Sequence, residues 1–367
     1  MKQAFLADEI FTGTNWLTTQ VILMENHIVT GIIPQVSLPS EYSLQSYPGC
    51  IIVPSFLDLQ LYGGNGKLFS HSLDIESLEA THAYCVAGGC SHFMITMATN
   101  SIENFNKGID AVAAYQAAGK KGLLGLHLEG PWISREKRGA HVEAFIHRPE
   151  KAEVISLLER GRGIIKMITL APEECDQSLI QLIMDQGVLV SAGHSNATYN
   201  QAAQAFKSGV PAATHLFNAM SPLQGRLPGM VGAIYDDPHV MSSIICDGVH
   251  VDFNSIRISK KMMGDRLFFI TDAVTAIQEG YYAHVFQGNR YTLPDGTLSG
   301  SCMTMLSTFK NSVEQVGISL DESLKMCSTH PARLIRNASL GNIQVDHPAN
   351  FNILHKKTLD LVASVFN

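Results

Sequence analysis

The segment LLGLHLE, residues 123–129, is a short apolar run closed by a carboxylate and flanked by the glycine-containing turns KKG and GPW. It is too short for a helix and reads as a strand buried on both faces, as a parallel sheet requires. Runs of the same kind lie on both sides of it: IIVPSFLDLQ (51–60), HFMITM (92–97), IIKMITL (164–170), VLVSAGH (188–194), AATHLF (212–217), SSIICD (242–247) and RLFFITD (266–272). With the first, that makes eight. Helical patterns separate them at 75–87, 102–118, 150–159, 177–186 and 198–208. Several of these end on glycine (Gly88, Gly119, Gly187, Gly209), which helix C-termini favour. Eight strands with intervening helices predict an α/β protein built on a TIM-type (β/α)8 barrel over residues 51–340, with its active site at the C-terminal strand ends. A doubly wound open sheet is the alternative. The flanking segments 1–50 and 341–367 break the pattern with EIFTGTN, HIVTGIIP, FNILHK and LDLVASV, and are expected to form one small β domain from the two chain ends.

Composition narrows the function classes. Lys plus Arg number 26 against 33 Asp plus Glu, a net charge of −7. That balance disfavours nucleic acid and anionic membrane surfaces, both of which call for a basic face. The chain is 46% hydrophobic and 16% charged, against about 25% charged in ordinary globular domains. A large core follows, and part of the surface is open to concealment in an oligomer. The opening MKQAFLADEIF puts Asp8 and Glu9 where a secretory signal needs an apolar stretch. The uncharged stretch Ala80 to Ile102 is long enough to cross a bilayer, but His82, His92, Gly88-Gly89 and Cys90-Ser91 make it a helix end, a turn and a buried strand. Seven scattered cysteines without a C-x-x-C pair fit a reducing compartment, so a cytoplasmic protein is expected. GGNGKLF (63–69) fails as a phosphate loop, because Leu61 and Leu68 stand where Gly and Ser or Thr are needed.

The strand ends carry the chemistry. Strand three ends in Glu129, strand five in His194, and strand six carries His215; strand seven ends in Asp247 with His250 just beyond, and strand eight ends in Asp272. One carboxylate and two imidazoles from separate strands match the three-ligand pattern of a catalytic zinc site with a position left for water. Asp272, free of the metal, has the chemistry to take a proton from that water. A lone histidine among 15 is more often a surface or satisfied core residue. For Asp247 and Asp272, capping of the helices that follow is a lesser alternative. The combination favours the metal, because a charge closing an apolar strand is costly without a partner.

Seven segments, GLHLEGPWIS (125–134), SAGHSNATY (191–199), THLFNAM (214–220), GRLPGMVGAI (225–234), DGVHVD (247–252), TDAVTA (271–276) and GTLSGS (296–301), together resemble the N-acetylglucosamine-6-phosphate deacetylase family of the amidohydrolase superfamily. The resemblance implies a barrel with a small β-sandwich formed by the termini. It also implies a homodimer, and hydrolysis of the acetamide of a phosphorylated amino sugar. It gives Glu129, His194 and His215 as ligands of one divalent ion per subunit, zinc first with iron or another divalent ion as alternatives. Asp272 becomes the general base and acid, and His141 a group that polarises the amide carbonyl. Ala140, Asn218, Ala219, Arg226, Asp247 and His250 become substrate contacts, with Leu298, Ser299 and Gly300 as a closing loop. Arg226 is expected to reach the neighbouring subunit's site. Many amidohydrolases carry H-x-H at the end of strand one for a second metal, whereas this chain has Gln60-Leu61-Tyr62; glutamine is a poor transition-metal ligand, so one ion is expected. The role of Tyr62 is undetermined at this level. The competing readings are a deacetylase for the galactosamine epimer, an inactive sugar-phosphate-binding regulator, and a metal-free barrel isomerase.

Overall fold

The computed structural model describes residues 2–366. Its centre is an eight-stranded sheet, hydrogen-bonded in chain order: β1 Phe56–Leu61, β2 Cys90–Ala98, β3 Leu123–Glu129, β4 Ile165–Leu170, β5 Leu189–Ala192, β6 Ala212–Ala213, β7 Met241–Ile245 and β8 Leu267–Ile270. Every neighbouring pair is parallel. Beyond β8 the chain returns to β1, where Asp272 N–H donates to the Gln60 carbonyl (2.9 Å) and Tyr62 N–H to the Ala273 carbonyl (2.8 Å). These two bonds close the barrel, as the strand count predicts.

The helices fall where the apolar spacing puts them. Ile75–Ala87 starts on an Asp74 side chain that accepts from Ser77 N–H and ends at Gly88. Gly89 then turns the chain at φ +71°, and a Cβ there would meet Asn352 Nδ2 at 2.9 Å. The uncharged stretch after Ala80 is therefore a helix end, a turn and β2, not a membrane span. Among the described residues no helix is long and apolar enough to cross a membrane.

Strand one departs from expectation. The run 51–60, read as a single barrel strand, is divided between Ser43–Pro54, which belongs to the terminal sheet, and β1. Only the buried Ser55 separates the two strands, too short a break for the apolar pattern to reveal. Pairing of β1 with β2 also slips between Asp58 and Leu61. Leu59 packs with Met94 and Phe268, while Gln60 reaches across to Glu129 and Asp272. Such slips re-aim side chains at the rims of barrels.

Both chain ends share one seven-stranded sheet. In it Phe351–His355 pairs with Ser43–Pro54, which runs parallel to Lys2–Phe11. Phe5, Ile22, Ile52 and Phe351 form that sheet's own apolar cluster. Asn352 Nδ2 donates to the Gly89 carbonyl at 2.7 Å and joins the sheet to the barrel.

The barrel interior is layered. Leu59, Met94, Met167, Phe268 and Leu334 fill its lower end. Above them lies a polar layer: His127 Nε2 bonds Thr169 Oγ1 (2.8 Å), and Thr169 and Ser191 both bond Thr214 Oγ1. Titratable groups in this scaffold predict an acid response. His330 is buried with Nδ1–H donating to the Leu267 carbonyl (3.0 Å), and burial pushes its pKa down to about 4. Burial does the same to His92 and His127. Each binds fewer protons folded than unfolded, so its stabilisation is present above about pH 6.5 and is lost as pH falls toward 4. The slope is about 1.4 kcal/mol per pH unit per histidine at most. His330→Gln keeps an N–H donor and removes one titration, so its thermal midpoint should fall less steeply from pH 6.5 to 4.5 than the parent's. Equal slopes would exclude His330 from the acid response.

Candidate active site

Alternate residues of β3 point inward, so His127 sits in the polar layer and Glu129 at the mouth above it. Glu129 is fully buried. Its Oε1 lies 3.0 Å from His215 Nε2 and 3.4 Å from His194 Nε2, and those two nitrogens are 3.1 Å apart. Both histidines lie just past their strands. His194 has φ 47°, His215 φ 38° and Asp272 φ 55°, left-handed values that are uncommon outside glycine and concentrate at functional sites. This turn takes each side chain off the ladder and into the mouth.

A divalent ion with ligands at about 2.0–2.2 Å in tetrahedral geometry holds neighbouring donors about 3.3–3.6 Å apart, close to the separations seen. The tautomers agree. His194 Nδ1–H donates to the Lys137 carbonyl (2.9 Å), which leaves the Nε2 lone pair facing the cluster. His215 Nδ1 is buried without a hydrogen bond, so its ring is oriented from the Nε2 end and by its backbone N–H, which donates to Ser243 Oγ (2.8 Å). His141 Nε2 also lies within 4.8 Å of the Glu129 and His194 donors. Its bonds give it another character: Nδ1 lies 3.3 Å from Thr99 N–H and 2.8 Å from Thr99 Oγ1, and with Nδ1 accepting from both, the proton is assigned to Nε2, facing Glu129 Oε2 (3.1 Å). A protonated Nε2 is a donor, not a ligand. Donor set, spacing and burial fit a divalent ion on Glu129, His194 and His215.

Electrostatics divide the two carboxylates. Burial works to raise the pKa of Glu129, but His194, His141 and His215 outweigh it and hold the group well below the usual carboxylate range. Asp272 moves the other way, because burial and the charge of Glu129 outweigh the opposing His215 and His250. Two neighbouring acids with pKa values pushed apart is the pattern of a ligand beside a proton carrier. Burial, with His194 alongside, lowers His141 to about 4 and keeps its ring neutral. His250 is raised despite burial, since Asp247 Oδ2 accepts from its Nδ1 at 2.6 Å.

These groups line a cavity of about 240 Å³ together with Ala140, Asn218, Ala219, Leu298, Ser299 and Gly300. Gly300 lies so close on the strand-eight exit that a Cβ would meet the Asp272 carbonyl at 2.4 Å. Ser301 N–H donates to that same carbonyl (2.8 Å), which fastens the returning loop beside Asp272. Two expected contacts stand elsewhere. Asp247 does not line the cavity; it sits behind His250 and also accepts from the backbone of Val249 and His250. Arg226 is exposed on a separate surface pocket with Tyr199 and Pro222, between the exposed Leu223 and Leu227.

Sequence reasoning passed over Thr99, Tyr282 and His284, and took Gln60 only as a residue unfit to bind a second metal. Gln60 Nε2 donates to Glu129 Oε1 (2.8 Å) and Asp272 Oδ1 (2.9 Å). The reverse amide orientation would set an oxygen against two carboxylates. Tyr282 OH donates to the Thr99 carbonyl (2.5 Å), and His284 Nδ1 bonds Ser299 Oγ (2.6 Å). Their i, i+2 spacing was the available signal.

The amidohydrolase family model matches residues 51–367. This chain belongs to the amidohydrolase family. This amidohydrolase is 35% identical to N-acetylglucosamine-6-phosphate deacetylase of Haemophilus influenzae, over 96% of this chain and 95% of that protein. N-acetylgalactosamine-6-phosphate deacetylase of Shewanella sp. is 32% identical over 80% of this chain and 76% of that one. The crystal structure of N-acetylglucosamine-6-phosphate deacetylase from Pasteurella multocida superposes with a TM-score of 0.95 at 32% identity, covering 100% of this chain and 98% of that one. In an amidohydrolase the buried donors of Glu129, His141 and His194, all within 4.8 Å of one another, indicate a divalent metal.

Proposed function

We propose that this amidohydrolase hydrolyses the acetamide of N-acetylglucosamine 6-phosphate, releasing glucosamine 6-phosphate and acetate. The observation that carries the reading is the set Glu129 Oε1, His194 Nε2 and His215 Nε2, mutually within 3.4 Å and beside Asp272 in one cavity. The likeness to deacetylases across nearly the whole chain supports the substrate. Glu129, His194 and His215 hold one divalent ion, with zinc the first choice for two imidazoles and a carboxylate. When bound, the ion supplies Lewis-acid chemistry, acidifying a water and taking up negative charge on the amide oxygen.

The chain's own groups do the rest. Asp272 Oδ1 is held by Gln60, so the second carboxylate oxygen takes the proton of the attacking water. Its raised pKa then favours giving that proton to the departing amine, which leaves poorly as an anion. His141 Nε2–H turns its donor to the carbonyl oxygen. His250, its pKa raised by Asp247, and the Asn218-Ala219 backbone bind the phosphate and hydroxyls, and Leu298 to Gly300 close over them. Arg226 serves a second copy of the chain: it is exposed and lines a separate surface pocket, not its own chain's cavity. All seven cysteines are free thiols, which supports the cytoplasm as the compartment.

The test is acetate release from N-acetylglucosamine 6-phosphate by metal-stripped and zinc-restored protein, with the galactosamine epimer assayed beside it. Activity should vanish on stripping, return with zinc and be greater on the glucosamine substrate. Equal activity of stripped protein would refute the metal, and preference for the other epimer would reassign the substrate.

A further inference from the structure

Tyr62 follows β1 and is bolted in place by its backbone. Its N–H donates to the Ala273 carbonyl (2.8 Å), and its carbonyl accepts from Phe69 N–H (2.9 Å). The side chain is 8% exposed and lines the cavity. Its hydroxyl donates a short hydrogen bond to Glu129 Oε2 and lies 3.1 Å from Gln60 Nε2.

Counting donors on Glu129 defines what this does. Oε2 receives Tyr62 OH and His141 Nε2–H, while Oε1 receives Gln60 Nε2–H and faces His194 and His215. Gln60 has two amide protons for three neighbours, and the carboxylates at 2.8 and 2.9 Å are nearer than Tyr62 at 3.1 Å. The phenol is therefore left to donate to Glu129, and it is the only hydroxyl on that carboxylate among the described contacts. Rotation of the carboxylate to present both oxygens to an ion would break the Tyr62 bond in a dry site, where an unmade bond is costly.

We infer that Tyr62 is a positioning residue: its hydroxyl holds Glu129 Oε2 so that Oε1 alone faces the metal place between His194 and His215. The inference rests on the metal-ligand reading of Glu129 proposed above. It assigns Tyr62 no contact with substrate or ion. Partners that orient metal ligands in this way commonly contribute about 10- to 100-fold in metal affinity.

The variant is Tyr62→Phe, which removes one oxygen and keeps the ring. Zinc affinity is measured by competition with a chromophoric chelator, and thermal midpoints are taken on metal-stripped protein with and without added zinc. Zinc should bind about 10- to 100-fold more weakly. The stripped protein loses one buried hydrogen bond and should melt somewhat lower than the parent, and the zinc-induced rise in midpoint should shrink in addition. A merely structural tyrosine would lower the stripped midpoint and leave the affinity alone, which would overturn the inference. Parent-like zinc affinity in the variant would overturn it too, with the metal reading intact. A parent protein that binds no zinc would bring down both.

Discussion

Asp272→Asn is expected to cut turnover by about 10²- to 10⁴-fold, the usual span for a lost acid-base group, with fold and metal content unchanged. Asparagine suits the position. It tolerates the left-handed backbone at φ 55°, and its side-chain oxygen can still accept from Gln60. The Asp272 backbone bonds to Gln60 and Ser301, which close the barrel and fasten the loop, involve no side-chain atom. What asparagine cannot do is take a proton from water and return it to an amine. The raised pKa of Asp272 comes first from burial, with the charge of Glu129 adding to it, and an amide has no such equilibrium to tune. Acetate release and metal analysis on the same preparation decide the matter. Near-parent turnover would remove Asp272 from the proton path, and loss of the ion would make it a ligand.

The barrel could be read from the sequence because its strands are short, mainly apolar runs, and several of them lead into a carboxylate or imidazole that needs a partner. Glu129, His194, His215 and Asp272 stood out for that reason, and all four line one cavity. What escaped has a physical cause in each case. Gln60 gains its reach from a slipped pairing between Asp58 and Leu61, and hydrophobic periodicity is blind to a slip. The boundary at Ser55 was hidden because the two sheets meet across a single buried residue, too short a break to read as a turn. Tyr282 and His284 sit on the irregular loop after β8, whose position depends on bonds to Thr99 and Ser299 far along the chain. Asp247 shows the converse. A carboxylate at a strand end can serve its neighbour instead of the cavity, and only the 2.6 Å bond to His250 separates the two uses.

Glu129→Gln tests the centre of the site and should cost the ion itself. The carboxylate is fully buried; it accepts from Gln60, Tyr62 and His141, and its Oε1 lies 3.0 Å from His215 Nε2. An amide in the same volume offers one acceptor oxygen and one NH2 group. Whichever way it turns, the NH2 confronts donors: Tyr62 and His141 on one side, or Gln60 and the imidazole cluster on the other. The variant therefore loses the negative charge that compensates the ion and leaves at least one buried donor opposed. Removing one partner of a buried charge pair costs roughly 3–5 kcal/mol, which corresponds to about 10²- to 10⁴-fold in metal affinity. The purified variant should hold well under one ion per chain and remain inactive until zinc is supplied in large excess. Elemental analysis after gel filtration reads the occupancy, and circular dichroism confirms that the barrel is intact. Full occupancy in a folded variant would show that Glu129 is no ligand, and would shift the metal place toward His141 and His194, whose rings are 4.2 Å apart.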